Sequence, residues 1–261
     1  MHATPFLRLA LAFVLSACFA LAFSQPQKAP GAYEPSVGQE GKDVVWVPTS
    51  QALVDKMLEM AKVTPRDFVI DLGSGDGRTV ITAARRGTRA LGIEYNPDMV
   101  ALSQLNAGKA GVSERAAFMK ADLFETDFSK ATVITMFLLP EINLKLRPQI
   151  LRLKPGTRIV SNTFTMAEWQ ADETATLGED SKCLSWCTAL LWIVPARVAG
   201  SYTIAQGELV LRQEFQMLSG TLRTGYGPVA VEGRVRGEEI SLKAGDREYH
   251  GRLNGKALEL R

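Results

Sequence analysis

Residues 71–77 read Asp-Leu-Gly-Ser-Gly-Asp-Gly and combine two carboxylates with three glycines at alternate positions. Glycines let the chain turn tightly and approach a ligand closely, and such a loop between a strand and a helix is typical of nucleotide sites. A dinucleotide site would need glycine at position 78, where the chain has Arg78, and the carboxylates of Asp71 and Asp76 would repel a pyrophosphate. This glycine loop therefore favours a positively charged nucleoside without phosphate groups.

Two further acidic residues follow the next two predicted strands. Glu94 ends the second strand, where a carboxylate can accept hydrogen bonds from two ribose hydroxyls. Asp122 follows the third strand and is placed to accept a hydrogen bond from an adenine amino group, with Leu123 beside the ring. S-adenosylmethionine (SAM) meets these requirements, because it has no phosphate and carries a sulfonium and an ammonium group. The three strand ends together predict a SAM site.

The hydrophobic periodicity predicts strands and helices in alternation. A helix capped by Thr49 or Ser50 ends before Pro65. After it we predict strands at residues 68–72, 90–94, 117–121, 132–137 and 158–161, and helices at 79–86, 98–110 and 143–153. Strands separated by helices indicate βαβ units and a parallel sheet covered on both faces. We therefore expect an α/β, Rossmann-like, doubly wound domain.

Changes in composition divide the chain into four segments. Residues 1–24 form an apolar leader, residues 25–43 a linker rich in Pro, Gly and Gln, and residues 44–198 the α/β domain. In residues 199–261, short alternating runs are punctuated by glycines, which is typical of antiparallel hairpins. We expect this small antiparallel β module to be a lid or packing element without chemistry of its own.

The leader has the order of regions found in secretory signals. Arg8 precedes an apolar run at residues 9–23, and a short polar segment follows. The apolar run is short for a membrane span, which needs roughly 20 residues. A cleaved signal peptide, a lipoprotein lipidated at Cys18 and an uncleaved membrane anchor remain open. All three alternatives predict an exported or membrane-associated protein on the periplasmic side of a bacterial envelope. This location conflicts with the cytoplasmic supply of SAM.

The net charge of the chain bears on its choice of partners. The formal net charge is +2, which gives no strong field to attract nucleic acid, so no nucleic-acid partner is expected. No metal site is predicted.

Besides Cys18, the chain contains Cys183 and Cys187. They can form a disulfide if the segment between them is turned or helical, and otherwise they are buried free thiols.

Several motifs of the predicted α/β domain resemble class I SAM-dependent methyltransferases. Residues 71–78 and residues 92–97 (Gly-Ile-Glu-Tyr-Asn-Pro) are most similar to lysine methyltransferases that lack a SET domain, among them the small membrane-associated enzymes that act on mitochondrial inner-membrane proteins. Segments of the nucleosomal histone lysine methyltransferase are similar in placement to residues 46–49, 156–161 and 184–186. The resemblance implies that the loop before the first helix closes over the methionine half of SAM, with Trp46 and Thr49 lining that part of the site.

The predicted SAM-binding set combines the reasoning from residues with the resemblance. Its members are Trp46, Thr49, Asp71, Gly73, Ser74, Gly75, Glu94, Tyr95, Asp122 and Leu123. No catalytic residue is assigned, because methyl transfer from a positive sulfur requires alignment and exclusion of water more than a dedicated acid or base. Asn162 and Phe164, just past the fifth strand, are candidates for the rim of the acceptor site.

The segment after the fourth predicted strand bears on the methyl acceptor. Residues 137–140 read Phe-Leu-Leu-Pro, where methyltransferases acting on amino-purines or glutamine have an Asn-Pro-Pro-Tyr type motif. An apolar pocket suits lysine, because burial lowers the pKa of its ammonium group toward the reactive neutral amine. The sequence therefore predicts N-methylation of a protein lysine. The alternatives are methylation of a small molecule or lipid, and a non-catalytic SAM-binding envelope module.

Overall fold

The computed structural model describes residues 33–254 and 257–261. The predicted leader at residues 1–24 lies outside the described residues, as do residues 25–32 of the predicted linker. Within the described ranges, none of the helices combines the length and the apolar character that a membrane crossing requires.

A seven-stranded sheet with helices on both faces forms the first region. Its strands are β1 (Phe68–Leu72), β2 (Arg89–Glu94), β3 (Ala116–Lys120), β4 (Val133–Met136), β5 (Arg158–Asn162), β6 (Glu173–Thr176) and β7 (Thr188–Ile193), and its helices are α1 (Gln51–Met60), α2 (Arg78–Arg85), α3 (Pro97–Lys109) and α4 (Pro140–Ile150). The strands lie in the order β3-β2-β1-β4-β5-β7-β6. The predicted α/β, Rossmann-like class is confirmed.

The edge formed by β7 and β6 corrects the expectation of a parallel sheet. The first five strands pair in parallel, but β7 pairs antiparallel with both β5 and β6. The sequence interpretation assigned neither strand, although Thr188–Ile193 is an almost continuous apolar run. The chain passes from β6 to β7 through a loop with a single 3-10 turn and no crossover helix, so the two strands pair antiparallel.

The helices that border the site begin at residues suited to a helix N-terminus. Ser50 Oγ accepts a hydrogen bond from the Leu53 amide at 3.3 Å, which starts α1, and Asn96 Oδ1 accepts one from the Asp98 amide at 2.9 Å, which starts α3. The predicted bounds of α2 and α3 differ from the observed ones by one residue at each end, whereas α4 spans Pro140–Ile150 and was predicted three residues too late, at 143–153. Proline is favoured in the first turn because its fixed φ is already helical.

Buried side chains cover the first sheet on both faces. On one face, Leu53 of α1 and Val80 of α2 belong to a cluster that includes Val69 of β1. On the other face, Leu146 of α4 packs in a second cluster with Trp192 of β7. Burial on both faces fixes the strands, so the residues at their carboxyl ends are held in defined positions.

The second region is a seven-stranded antiparallel meander. Its strands, in chain order and in spatial order, are β8 (Gly200–Ile204), β9 (Gly207–Glu214), β10 (Met217–Thr224), β11 (Gly227–Arg236), β12 (Glu239–Ala244), β13 (Arg247–Asn254) and β14 (Ala257–Leu260). One face of the sheet buries an apolar core that includes Leu211, Val231 and Leu242. The predicted small antiparallel module is therefore present.

The β module is joined to the first region near the turn between β9 and β10. The Phe215 ring stacks on Trp169, with centroids 6.0 Å apart. Gln216 Nε2 donates a hydrogen bond to the Gln170 carbonyl at 2.7 Å. The cleft described below is lined by other residues, so these contacts serve packing.

Candidate functional site

The glycine loop connects β1 to α2 in a backbone conformation that glycine permits. Gly73, Gly75 and Gly77 have φ angles of 74°, 52° and 81°, where residues with a Cβ are strained. The amides of Gly73 and Ser74 both donate hydrogen bonds to the carbonyl of the penultimate residue of β2, at 2.9 and 3.0 Å. A Cβ on Gly75 would lie 2.6 Å from Trp46 Nε1. Glycine is therefore required at position 75 both for φ and for the close approach of Trp46.

Glu94, the last residue of β2, is fixed by backbone amides. Its Oε2 accepts a hydrogen bond from the Gly75 amide and its Oε1 accepts one from the Asn96 amide, each at 2.9 Å. A carboxylate has further lone pairs, so Glu94 can still accept hydrogen bonds from ligand hydroxyls. The structure brings Glu94 and the glycine loop together, as the sequence predicts.

Asp71 is the buried acid of the site. Its residue is 6% exposed, and Thr135 on the adjacent strand β4 donates a hydrogen bond to Oδ1 at 2.6 Å. Burial raises the pKa of Asp71 to about 7, and the carboxylates of Asp76 and Glu94 act in the same direction, against the Thr135 hydrogen bond. A bound cation would supply the missing positive charge and favour the ionised form of Asp71.

A segment that precedes α1 runs along the cleft. We call residues 39–49 the strap, because every one of them lines the cleft. The Trp46 amide donates a hydrogen bond to the Gln39 carbonyl at 2.9 Å. Arg78 Nη1 donates to the Thr49 carbonyl at 2.8 Å, which fastens the strap to the start of α2. Residues 39–43, which composition predicts to be linker, are thus part of the site.

Lys42 of the strap forms an ion pair with Asp122, which follows β3. The ammonium group also lies 5.0 Å from the centre of the Tyr95 ring. The hydrogen bond between the pair raises the pKa of Lys42 and lowers the pKa of Asp122. Asp122 Oδ1 accepts a further hydrogen bond from the Phe124 amide at 2.9 Å. Asp122 therefore lies where the sequence predicts, with a partner that the sequence did not reveal.

All ten residues of the predicted SAM-binding set line this one cleft. The cleft encloses about 1040 Å³ of empty space, open solvent at its mouth included. Within the described part of the chain, Ser74 Oγ is buried without a hydrogen-bond partner. Carboxylates, a spare buried hydroxyl and apolar walls suit SAM, which offers two positive groups, polar hydrogens and an adenine ring.

Sequence reasoning missed several lining residues, among them Lys42, Val44, Arg78, Met99 and Met136. A signal was available for Arg78, because it replaces the last glycine of the dinucleotide motif. Its guanidinium forms an ion pair with Asp76 at 2.5 Å, which neutralises one carboxylate of the glycine loop. The apolar residues carry no signal, since residues of the same types fill the core.

Aromatic rings border the cleft at Phe137, the residue after β4. Its ring centroid lies 5.8 Å from that of Phe164 and 5.9 Å from that of Trp186. Asn162, which is buried, donates a hydrogen bond from Nδ2 to Thr49 Oγ1 at 3.3 Å. The two predicted rim residues therefore reach the cleft through Phe137 and Thr49, although they do not line it themselves.

The segment that carries Trp186 is closed by a disulfide. Cys183 and Cys187 are bonded to each other, with their Cα atoms 5.8 Å apart. The segment between them is turned, as the disulfide alternative requires. Of the two states that the sequence left open, the structure has the disulfide.

The comparisons with known proteins agree with this geometry. Residues 71–173 match the family model of the ANTKMT methyltransferase domain. A protein-lysine N-methyltransferase from Saccharolobus islandicus is 46% identical over 133 residues, which are 50% of this chain and 83% of that protein. The adenine nucleotide translocase lysine N-methyltransferase of Mus musculus is 35% identical over 129 residues, which are 49% of this chain and 56% of that protein.

A solved structure is also similar to this chain. The crystal structure of an RNA methyltransferase from Salinibacter ruber in complex with S-adenosyl-L-homocysteine has a TM-score of 0.54 and 46% sequence identity. The match covers 58% of this chain and 96% of that one. The matches to relatives and the cleft at the carboxyl ends of β1 and β2 lead to one conclusion. The chain belongs to the class I SAM-dependent methyltransferases and is an enzyme of that family.

Proposed function

We propose that this enzyme transfers methyl groups from SAM to lysine side chains of a protein. The single observation that carries the proposal is an apolar wall formed by Phe137, Leu138 and Ile142 on the cleft that also holds the acidic SAM-binding residues. Lysine suits such a wall, because it has a long methylene stem and its amine becomes reactive when neutral. The similar proteins that are named as lysine methyltransferases support the proposal.

In this proposal each group of cleft residues binds a different part of SAM. Glu94 accepts hydrogen bonds from the ribose hydroxyls, and Asp122 with Leu123 binds the adenine end. The carboxylate of Asp71 and the glycine loop face the positively charged methionine half, which the strap covers through Trp46 and Thr49. Asp71 is 6% exposed, and its buried carboxylate supports the choice of a cationic ligand over one that carries phosphate.

SAM supplies a methyl group that is activated by the positive sulfur to which it is bonded. The lysine nitrogen uses its lone pair to form the new C–N bond while the C–S bond breaks, and the electrons of the broken bond stay on sulfur. The lysine ammonium must first lose a proton to solvent, which apolar surroundings favour by lowering its pKa. The residues of the chain contribute alignment and exclusion of water, and the strap and the Phe137 wall are placed to provide both.

The test uses the full-length chain with SAM that carries a tritiated methyl group. The acceptors are protein, RNA, and lipid or small-molecule fractions prepared separately from one cell extract. The RNA arm is included because the similar solved structure is of an RNA methyltransferase. We expect label in the protein fraction, recovered as methyl-lysine after acid hydrolysis. Label that appears in RNA, lipid or small molecules and not in methyl-lysine would overturn the proposal.

We also propose that the protein is exported or membrane-associated. The apolar run at residues 9–23 supports export. The disulfide between Cys183 and Cys187 supports an oxidising compartment, where such bonds persist. Cell fractionation of a fusion with a C-terminal reporter tests the location, and recovery in the cytoplasmic fraction alone would contradict it.

A further inference from the structure

A second concave surface lies beside the SAM cleft, between the helices α1, α2 and α3. We call it the outer groove, and its lining includes Gln51 of α1, Arg78 and Arg85 of α2, and Asn106 and Lys109 of α3. It encloses about 580 Å³ of empty space, open solvent at its mouth included. The side chains that line it are mostly polar, whereas the SAM cleft also has apolar walls. A ligand of the outer groove must therefore be polar.

The outer groove has an excess of positive charge. Three cations and one carboxylate line it, and the carboxylate, that of Asp76, is already paired with Arg78. Within the part of the chain that the structure describes, the other two cations, Arg85 and Lys109, form no ion pair. Both residues are exposed, so an anion from solvent can reach them.

Helical spacing places these cations at the outer groove. Arg85 lies seven residues after Arg78 on α2, and Lys109 lies three residues after Asn106 on α3, so each pair shares one face of its helix. Arg85 and Lys109 also lie in the last turns of their helices, where a positive charge stabilises the helix dipole. That role explains the residue types at two helix ends, but it does not require that both cations line the same concave surface.

The donors of the outer groove match the acceptors of a phosphate group. Asn106 Nδ2 donates one hydrogen bond to the Asp76 carbonyl at 3.1 Å, and the amide group has a second N–H. A guanidinium group binds two phosphate oxygens at once, and an ammonium group binds phosphate as a point charge. Arg85, Lys109 and Asn106 therefore offer a set of donors that a phosphate group can use.

Arg78 connects the outer groove to the SAM cleft, because it lines both. Its Nε donates a hydrogen bond to Asp76 Oδ1 at 3.0 Å, and its Nη1 donates to the Thr49 carbonyl at 2.8 Å. The second of these bonds fastens the strap. An anion in the outer groove competes with the Thr49 carbonyl for this guanidinium, so it loosens the strap over the cleft.

We infer that the outer groove binds a small anion that carries phosphate, through Arg85, Lys109 and Asn106, and that the bound anion weakens SAM binding through Arg78. A small anion is favoured over a polymer, because the formal net charge of +2 gives no extended field to attract one. The inference does not depend on which acceptor the enzyme methylates.

The test of the site uses pyrophosphate as the probe and isothermal titration calorimetry of the full-length chain. Potassium chloride at the same ionic strength is the reference. We expect Arg85→Gln and Lys109→Gln each to weaken pyrophosphate binding about fivefold or more, because each removes a charge-assisted contact. Arg152→Gln is the charge-matched control, since Arg152 is exposed and follows α4 on the opposite face of the sheet. It should keep the affinity of the unmodified chain.

A second measurement tests the coupling to the SAM cleft. Saturating pyrophosphate should lower the affinity for S-adenosylhomocysteine about two- to fivefold, the effect of one lost hydrogen bond. Saturating S-adenosylhomocysteine should lower the affinity for pyrophosphate by the same factor, because coupling is reciprocal. In the double variant Arg85→Gln with Lys109→Gln, pyrophosphate should no longer affect S-adenosylhomocysteine. If its effect persisted there, pyrophosphate would be competing inside the cleft, which would contradict the inference.

Three other outcomes would also overturn the inference. The first is pyrophosphate binding no tighter than that of chloride, with variants that only lower the Tm, since the cations would then serve the helix dipoles alone. The second is an unchanged affinity for S-adenosylhomocysteine in saturating pyrophosphate. The third is a short oligouridylate that binds far more tightly than pyrophosphate and loses this affinity in Arg85→Gln and Lys109→Gln, because the groove would then belong to a surface for nucleic acid.

Discussion

The C-terminal β module and the carboxyl edge of the first sheet differ in how closely they follow local structural preferences. In the module, seven strands succeed one another in order, and β12 alternates exposed and buried residues along its length. At the carboxyl edge of β1, three glycines in the loop have positive φ and Asp71 is buried with an altered pKa. The module departs from local preferences in its turns, as at Phe215 with φ 50°, whereas the edge combines positive φ angles with a buried acid at one place. Departures of this kind mark functional sites.

Some glycines of the module are closely packed, as at Gly220, but one glycine of the loop and one of a module turn differ clearly. Gly75 in the glycine loop has φ 52° and a Cβ added there would lie 2.6 Å from Trp46 Nε1. Gly225, in the turn between β10 and β11, has nothing within 4 Å of an added Cβ. One glycine is therefore constrained by backbone and by neighbours, and the other is free of both constraints.

The largest expected effect follows from this pair. Gly75→Ala must strain the loop and displace Trp46, so we expect SAM affinity to fall about 100-fold or more. Gly225→Ala is the matched control and should keep the affinity of the unmodified chain. Isothermal titration calorimetry with SAM measures both. Equal affinities for the two variants would remove the distinction between the loop and the module.

The glycine loop was accessible from sequence because its residues are contiguous and their types are dictated locally. The positions of Asp71, Glu94 and Asp122 followed because each comes just after or at the end of a predicted strand. The antiparallel edge was not accessible, since pairing of β7 with β5 depends on the whole chain and on no local pattern. The ion pair between Lys42 and Asp122 joins residues 80 positions apart. No sequence pattern near either residue indicates its partner.

The second expected effect concerns the buried acid. The pKa of Asp71 is raised from 3.8 to about 7, so between these values the folded protein keeps a proton that the unfolded chain has released. The free energy of unfolding must therefore fall as pH rises from about 4 to about 7, and change little above that. A cationic ligand favours the ionised form, so the affinity for SAM should rise over the upper part of the same range.

Asp71→Asn separates these two consequences. We expect SAM affinity to fall about 30-fold at pH 8 and to lose its dependence on pH, because the neutral amide offers no charge to the ligand. At pH 8 the ligand-free variant should have a higher Tm than the unmodified chain, and this gain should shrink as the pH is lowered through 7. Glu232→Gln, an exposed site on β11, is the control. A flat dependence of SAM affinity on pH in the unmodified chain would contradict the assignment.

The third effect is smaller and kinetic. Lys42→Gln removes the ion pair that holds the strap to Asp122, so we expect SAM to dissociate about two- to fivefold faster, as for other partly exposed pairs. High salt should speed dissociation from the unmodified chain and have little effect on the variant, because it screens the same pair. Competition stopped-flow, with Trp46 near the ligand as a fluorescent reporter, measures the rate. Lys56→Gln, which removes an exposed pair with Glu59 on α1, should behave as the unmodified chain does.

The smallest effect on SAM affinity is expected at the junction with the module. Phe215 stacks on Trp169, and the Arg147 guanidinium lies 5.3 Å from the centre of its ring. Phe215→Ala should lower the free energy of unfolding by about 1–2 kcal/mol, because a partly buried aromatic contact is lost. None of these three residues is among those that line the cleft, so SAM affinity should change less than twofold.

Tyr226→Ala is the matched control for this junction, because Tyr226 is a fully exposed aromatic residue in another hairpin turn of the module. It should change neither the free energy of unfolding nor SAM affinity, as measured by denaturant titration and calorimetry. If Phe215→Ala weakened SAM binding as strongly as it weakens folding, the module would have to be regarded as part of the site. Its regular strands would then support function directly, and the contrast between the two sheets would concern backbone geometry alone.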